Sequence, residues 1–251
     1  MKYVLVFLLG LLIGGVGGAG VYLVLQRQAK TADAPVDTSE LAVLKSSVTQ
    51  RLRETTADIK TRLSAFCKEV AGDQLFSLRL LVENNPTAPE VTNKACQFLK
   101  PMGFSLLEIA DSGFTLISCG QFPASVGNSV VSKGELLFDE PAVLTDRIMS
   151  GEVLSYQAKC AFTIAESITF YAMGGVVIDN AWLKRLSPRE GVTVLLKQGA
   201  TVFGLDNVKT ISEVKDGKVI INDKEYAAVE IPLLSAGNAA APHLIAVLKK
   251  E

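Results

Sequence analysis

The chain has 251 residues, of which 49% are hydrophobic, and its 25 basic and 26 acidic side chains give a formal net charge of −1. Such a balance provides no positive field for DNA or RNA, so we expect no nucleic-acid partner. With one histidine, and with four cysteines too far apart for a C-x-x-C site, the sequence also lacks the usual ligand patterns for a metal.

Motifs of the common enzyme classes are missing as well. The sequence contains no G-x-x-x-x-G-K-[ST] phosphate loop, no G-x-S-x-G nucleophile elbow and no set of kinase motifs. The single histidine, His243, directly precedes an apolar run, which favours a structural role. We therefore expect no catalytic residue, no cofactor and no bound metal.

The N-terminal stretch 3–25 contains no charged residue and is long enough to cross roughly 30 Å of hydrocarbon at about 1.5 Å per residue. A cleaved signal peptide is the alternative. Its apolar core is shorter, about 7 to 15 residues, and residues 17–20 resemble an A-x-A cleavage site poorly. We predict an uncleaved transmembrane anchor at 1–26, followed by a linker at 27–38.

Positive charges flank this stretch almost evenly, with Lys2 before it and Arg27 and Lys30 after it. Because long downstream domains translocate largely regardless of charge, we predict that the N-terminus is cytoplasmic and that the rest of the chain is extracytoplasmic. The expected location is the inner (cell) membrane, with a single pass.

Three glycines of the anchor, Gly10, Gly14 and Gly18, recur every four residues and share one helix face. Such a face lets two backbones approach closely, which favours a homodimer. The alternative is that they have no such role, because glycine is common in membrane helices generally.

A long amphipathic stalk helix is predicted after the linker, capped by Thr38 or Ser39. Its apolar side chains recur at steps of three and four residues. They are Leu41, Leu44, Val48, Leu52, Ile59, Leu63, Phe66 and Val70. Since the heptad-like register covers fewer than four heptads, we expect packing on the helix's own domain distally and coiled-coil pairing only near the membrane.

Gly72 and Asp73 interrupt this helix in the sequence. The stretch 74–83 is predicted to continue as a helix that is too apolar to remain in water. A short helix is predicted from 87 to about 99. We assign 39–102 to helices that pack on the following lobe.

From residue 104 onward, the apolar residues recur with the period of β-strands. Strands are predicted at 104–110, 114–118, 153–164 and 168–178. The first two are joined by the turn 111–113, and a bulge or a close backbone approach is expected at Gly174 and Gly175.

The connecting segments complete a first lobe at 103–187. Residues 121–133 are predicted to form a loop. Asp139 and Glu140 before a proline are typical of a helix start, so a helix is predicted at 139–149. A short helix at 181–186 follows, capped by Asp179 or Asn180.

This order of elements resembles the extracytoplasmic sensor regions of bacterial membrane histidine kinases, over residues 40–250. The resemblance rests on the uncharged span, the long helix, the Asp-Ser-Gly hairpin and the segment FYAMGGVVIDNAWL at 170–183. In that family the sensor sheet is closed by a strand that ends in Gly-Gly. An apolar residue, an Asp and a helix with an aromatic residue and Leu follow that strand. It implies an α+β fold with a PAS-like/Cache-like antiparallel sheet and flanking helices.

Two departures from the family pattern stand out. The arginine, tryptophan, tyrosine and aspartate set with which many Cache domains hold amino acids is not recognisable, which leaves the small-molecule ligand open. No second span, linker domain or phosphoacceptor histidine precedes Glu251. We therefore expect a separate kinase or receptor partner, although a shortened kinase is the alternative.

Shorter strands follow Pro188 and predict a smaller, membrane-proximal β-rich lobe at 188–251. A sheet extension of the first lobe is the alternative. The predicted strands are 192–196, 200–203, 208–214, 218–221, 226–234 and 244–248, with turns at 198–199, 216–217 and 222–223.

The cysteines Cys67, Cys96, Cys119 and Cys160 could form two disulfides in an oxidising compartment, in three possible pairings. Most of them have apolar neighbours, so we favour buried free thiols.

These features predict a membrane-anchored, extracytoplasmic sensor or ligand-binding module of a signal-transduction system, without catalysis. The alternative is a structural inner-membrane envelope protein, such as an assembly component of a pilus or secretion machine. Those proteins share the layout of one span, a stalk and a small head.

A ligand pocket in a PAS-like sheet lies between the sheet and the segment that crosses it, here 121–149. The polar side chains expected to face this space are Ser118, Gln121, Arg147, Tyr156 and Tyr171. Arg147 is the most distinctive, because a guanidinium on the crossing helix can hold a carboxylate. The alternative is an exposed arginine with its stem on the surface.

Overall fold

A computed structural model describes residues 38–137, 140–204, 208, 210–235 and 241–248. Within these ranges, no helix combines the length and the apolar character needed to cross a membrane. The predicted anchor and its glycine face lie outside the described residues, as does the linker up to residue 37.

The first described element is the long helix α1, Thr38–Ala71. At about 1.5 Å per residue its 34 residues extend for roughly 50 Å. The predicted apolar stripe is confirmed, because every position of that stripe except the half-buried Leu52 is buried. The helix ends where predicted, at Gly72 and Asp73.

A short helical segment follows, with α2 at Gln74–Ser77 and a π-helical turn at Leu78–Val82. Asp73 caps α2 by accepting hydrogen bonds from the backbone N–H groups of Leu75 and Phe76. The expectation that this segment is covered holds for Phe76 but is wrong for Leu75, Leu78 and Val82, which are exposed. Two short helices follow, α3 at Pro89–Thr92 and α4 at Lys94–Leu99.

The first sheet is antiparallel and has the strand order β2-β1-β5-β4-β3. Its strands are β1 Leu106–Ala110, β2 Leu116–Cys119, β3 Ala142–Ile148, β4 Gly151–Ile164 and β5 Ile168–Val177. The four predicted strands are confirmed, and β3 is a fifth that the sequence did not indicate.

The helix predicted at 139–149 is wrong. Ala142–Ile148 pairs with β4 from Ala142↔Gln157 to Ile148↔Gly151. The β-branched residues in this stretch favour a strand, and the pairing supplies backbone hydrogen bonds that local sequence does not reveal. A helix forms earlier, α5 at Val131–Leu136, partly inside the predicted loop.

Helix α1 packs on one face of this sheet, which we call the inner face. The hydroxyls of Thr56 and Tyr156 lie 2.8 Å apart and join α1 to β4. The predicted close approach at the paired glycines is confirmed, because a Cβ on Gly175 would lie 2.2 Å from the carbonyl oxygen of Tyr156. A Cβ on Gly174 would lie 3.0 Å from Leu63 of α1.

The second sheet follows helix α6, Asn180–Leu186, which is capped by Asp179. It is antiparallel, with the order β7-β6-β10-β9-β8. Its strands are β6 Val192–Gln198, β7 Thr201–Phe203, β8 Lys218–Ile221, β9 Lys224–Pro232 and β10 His243–Leu248. Helix α1 contacts β9 and β10 as well as β4 and β5, so it supports both sheets.

The strand predicted at 208–214 is wrong for the residues of this stretch that the structure describes. Ile211 forms only an isolated bridge with Ile221, and Lys215 one with Lys218. Both sheets belong to a compact unit, Thr38–Glu251.

Candidate functional site: a buried acidic cluster on the first sheet

The face of the first sheet opposite α1, which we call the outer face, is covered by α5 and the residues around it. Leu137, just after α5, packs with Phe114, Leu144 and Met173 in a buried apolar cluster. The chain must come very close here, because a Cβ on Gly134 would lie 2.2 Å from the ring of Phe114. Glycine at this position lets α5 lie against the ring.

Beside this apolar cluster lie three charged side chains, Glu108 of β1, Lys133 of α5 and Asp146 of β3. We call them the acidic cluster. The Nζ of Lys133 donates to Oε2 of Glu108 at 2.6 Å and also to Oδ2 of Asp146. The side chains of Glu108, Lys133 and Asp146 are only 4%, 14% and 13% exposed. One ammonium therefore neutralises one of two carboxylates away from bulk water.

Two buried amides complete the surroundings. Nε2 of Gln121 donates to Oε1 of Glu108 at 2.7 Å, while its Oε1 accepts from the backbone N–H of Leu107. Nε2 of Gln157 donates to Oδ2 of Asp146 at 2.8 Å and to Oγ of Ser155. A carboxylate only accepts, so this contact fixes which end of the Gln157 amide faces Asp146.

The other end of that amide is unusual. Gln157 is fully buried, yet its Oε1 has no hydrogen-bond partner among the described residues. A buried acceptor without a donor is costly and uncommon in folded proteins. The surroundings of the cluster thus contain one hydrogen-bond acceptor that no described donor satisfies.

Burial and neighbouring charges shift the titration of the cluster. Burial raises the pKa of Glu108, and the carboxylate of Asp146 adds to this, against the opposing effect of Lys133. Burial alone would lower the pKa of Lys133, but the two carboxylates outweigh it and raise that pKa above its usual value. Lys133 is therefore charged at neutral pH.

An aromatic pair borders the cluster. The rings of Phe114 and Tyr171 stack with their centroids 4.6 Å apart. The Nζ of Lys159 lies 5.1 Å and 4.9 Å from those two centroids and donates to the backbone carbonyl of Gly134 at 2.8 Å. Lys159 thus links β4 to α5.

Two of the five side chains predicted for a ligand site, Gln121 and Tyr171, lie at this cluster. Gln121 binds Glu108 directly, and Tyr171 belongs to the bordering aromatic pair. The segment predicted to cross the sheet does so, but only its part up to Leu137.

The other three predicted side chains lie elsewhere. Ser118 is buried against α3 and α4, accepting from the N–H of Ala95 and donating to the carbonyl of Thr92. Tyr156 is on the inner face, bonded to Thr56. Arg147 is exposed on a strand rather than on the expected helix, and its guanidinium lies 4.8 Å from the centroid of the Phe122 ring.

Sequence reasoning missed Glu108, Lys133, Asp146 and Gln157. One signal was present: Glu108 is the only charged residue in the apolar stretch 104–110. A carboxylate in a buried strand is expected to have a partner. That partner is 25 residues away and could not be read from spacing.

Two surface grooves lie elsewhere in the described parts of the chain. One, of about 730 Å³, lies between α1, α6 and β5 and is lined by Asp58, Arg62, Asp179 and Trp182 among others. The indole N–H of Trp182 is buried and lacks a partner in the described structure. The other, of about 470 Å³, is mostly apolar and lies between α1, α2 and the turn after β4.

The described ranges contain no group of three or more His, Cys, Asp or Glu side chains arranged to hold a metal ion. All four cysteines are free; Cys67 and Cys119 are buried, whereas Cys96 is exposed, contrary to its apolar neighbourhood in the sequence.

Comparison with solved structures identifies the fold as that of extracytoplasmic sensor domains of histidine kinases. The sensor domain of the histidine kinase DctB of Vibrio cholerae superposes with a TM-score of 0.53 at 9% identity, covering 85% of this chain and 98% of that one. The extracellular domain of the putative histidine kinase vpHK1S-Z8 gives a TM-score of 0.50 at 10% identity, covering 86% and 97%.

An extracellular ligand-binding receptor of Desulfohalobium retbaense also matches, with a TM-score of 0.44 at 10% identity. The match covers 82% of this chain and only 40% of the receptor. No protein-family model matches the sequence, and a search of curated proteins finds no match. The expected likeness to kinase sensor regions is confirmed at the level of the fold.

Proposed function

We propose that this chain is a membrane-anchored, extracytoplasmic sensor module of a signal-transduction system, of the Cache type and without catalytic activity. It binds a small molecule on the outer face of the first sheet. The fold shared with the DctB sensor domain supports this function over the alternative of a structural envelope protein.

The observation that carries the proposal is the acidic cluster beneath α5. Buried charges and an unpartnered amide oxygen reduce stability unless something compensates for them. Binding sites commonly retain such groups, because they recognise a ligand once it is present. The short helix α5 is the cover that a ligand would move.

The route from this site to a partner is the long helix. Strands β4 and β5 pack on α1, whose first residue, Thr38, directly follows the predicted linker in the sequence. A change in the first sheet would alter how α1 is held, and a homodimer formed through the glycine face would pass it to a separate kinase or receptor. Changing Gly14 to Leu should weaken self-association in detergent without unfolding the described domain.

Thermal melts of the full chain in mild detergent test the proposal. A panel of small carboxylates, amines and neutral polar molecules is added to the parent and to two variants, Asp146→Asn at the acidic cluster and Asp58→Asn at the groove beside α6. A true ligand at about a hundred times its dissociation constant adds roughly 2.7 kcal/mol.

We expect a ligand that raises the midpoint of the parent and of Asp58→Asn but affects Asp146→Asn much less. Each shift is measured against the same protein without ligand, so a change in basal stability does not confuse the result. A ligand whose effect disappears only in Asp58→Asn would move the site to the groove.

A further inference from the structure

We infer that Glu108 and Asp146 form a binding site for a primary ammonium group and that the side chain of Lys133 is its built-in occupant, which a small external organic cation displaces. The occupancy by Lys133 is independent of the proposed function. Only the displacement by an external ligand rests on that function.

The charges at the site favour a cation. Glu108 and Asp146 both contact the ammonium of Lys133, and because the two carboxylates repel each other, a cation between them stabilises their ionised forms. In a buried space with little water, the attraction between these carboxylates and a cation is poorly screened. An anionic ligand such as a dicarboxylate is repelled for the same reason.

Hydrogen bonding gives the same result independently. The ammonium lies between the carboxylates of Glu108 and Asp146, which also accept from the amides of Gln121 and Gln157. At the other end of the Gln157 amide, Oε1 has no donor among the described residues. A cation with several N–H groups supplies donors and needs no acceptor. The side-chain contacts of the two carboxylates thus all come from donors, which is the role that a displacing ammonium would fill.

The occupant sits on an element that can detach. Helix α5 has six residues, too few to be stable without tertiary contacts. Its polar contacts to the sheet include the two carboxylates on Lys133 and the Lys159 bond to the carbonyl of Gly134. A cation that replaced the Lys133 ammonium would remove the strongest of these contacts and free α5.

A purely structural ion cluster is the rival explanation. Buried ion pairs occur in proteins without any ligand, and removing one member is destabilising in either case. The two explanations differ in whether the carboxylates accept a free ammonium when the lysine is absent.

Chemical rescue of Lys133→Ala tests this. The substitution removes three methylene groups and the ammonium, which together correspond to n-propylammonium. Melts of full-length Lys133→Ala are recorded with propylammonium and with 1-propanol, alongside the double variant Glu108→Gln/Lys133→Ala and the control Lys159→Ala. Should Lys133→Ala not fold in buffer, its refolding yield with each additive is the readout.

We expect saturable rescue by propylammonium but not by propanol, with a midpoint shift of about 5 °C or more at a hundred times the dissociation constant. Neither the double variant nor Lys159→Ala should show it. Equal effects of the amine and the alcohol, or an equal rescue of Lys159→Ala, would overturn the inference.

This outcome is separable from that of the proposed function, because it uses no natural ligand and no signalling readout. If propylammonium rescues Lys133→Ala but no compound of the panel stabilises the parent protein, the ammonium site is supported and the proposed sensor function is not. If a compound stabilises the parent protein but propylammonium gives no rescue, the sensor function is supported and the ammonium site is not.

Discussion

The ammonium of Lys133 and the carboxylate of Glu108 meet at 2.6 Å, one on a six-residue helix and the other in a central strand of the first sheet. The contact fixes α5 over the outer face of a fold whose other face is held by the long helix α1. On the outer face, these polar contacts lie beside the apolar cluster around Phe114 and add to its packing.

Replacing Gly134 by Ala should destabilise the cover of the outer face. The new Cβ would overlap the ring of Phe114, since it would lie 2.2 Å from it, and overpacking of this kind costs about 1–3 kcal/mol. Urea unfolding measures the loss. Gly113→Ala is the matched control, because its Cβ would meet its nearest neighbour, Asp111, at 3.4 Å. Equal losses in the two variants would contradict the docking of α5 described above.

The hydroxyl pair between Thr56 and Tyr156 should couple α1 to the first sheet. Tyr156→Phe leaves the Thr56 hydroxyl half-buried without its partner, at a cost of about 1 kcal/mol. A double-mutant cycle with Thr56→Val, measured by denaturant unfolding, isolates the pair. Strictly additive effects would show that the two hydroxyls do not interact.

The pH dependence of stability should report on Asp73. Burial alone would raise its pKa, but the ion pair with Lys94 and the backbone N–H groups of Phe76 and Leu75 lower it below the usual value. A depressed pKa gives stability that is present above the ordinary aspartate pKa of about 3.9 and is lost as the pH falls through the folded value.

Asp73→Asn keeps an acceptor for the helix cap but loses the ion pair, so it should be less stable than the parent by about 1–3 kcal/mol at pH 7. Asp73→Ala should lose about 1 kcal/mol more. Thermal midpoints from neutral pH downward should converge for the parent and Asp73→Asn below about pH 4. A constant difference across that range would exclude the ion pair as its source.

The four thiols should react at very different rates. Burial, with help from the charge of Glu108, raises the pKa of Cys119 to about 12, and a hydrogen bond to Cys160 together with burial raises the pKa of Cys67. Cys96 is exposed. Cys160 is half-buried, and a hydrogen bond from Cys67 lowers its pKa. Since the thiolate is the reactive form, alkylation near pH 8 should label Cys96 and Cys160 first, and Cys67 and Cys119 only as the domain opens.

Mass spectrometry of timed samples gives the order of labelling. Cys96→Ser should remove only the label on that residue and leave the slow labelling of Cys67 and Cys119 unchanged. Fast labelling of Cys119 in that variant would mean that the outer face of the first sheet is open to solvent.

Local pattern predicted much of this fold. The apolar stripe from Leu41 to Val70 determines α1, and the turn at 111–113 separates two strands of clear period. Strand β3 escaped prediction because the acidic residues before Pro141 mimic a helix start, whereas its conformation depends on pairing with β4. Local chemistry and long-range pairing favoured different structures there, and the pairing determined the result.

The candidate site was less predictable for a related reason. Gln121 and Tyr171 were placed near it because both follow from the expected sheet and its crossing segment. Lys133 lay in a predicted loop and Asp146 on a predicted helix. Their contact with Glu108 could be predicted only if α5 and β3 had been predicted correctly. A site assembled from distant strands cannot be found until each strand is in place.

The most direct measurement of the central claim is a crystal structure of the full chain bound to its strongest stabiliser from the thermal panel. We expect a ligand on the outer face of the first sheet, with a nitrogen within hydrogen-bonding distance of Glu108 or Asp146 and with Lys133 displaced from between them. A ligand in the groove between α1 and α6, with the Lys133 contacts unchanged, would contradict it.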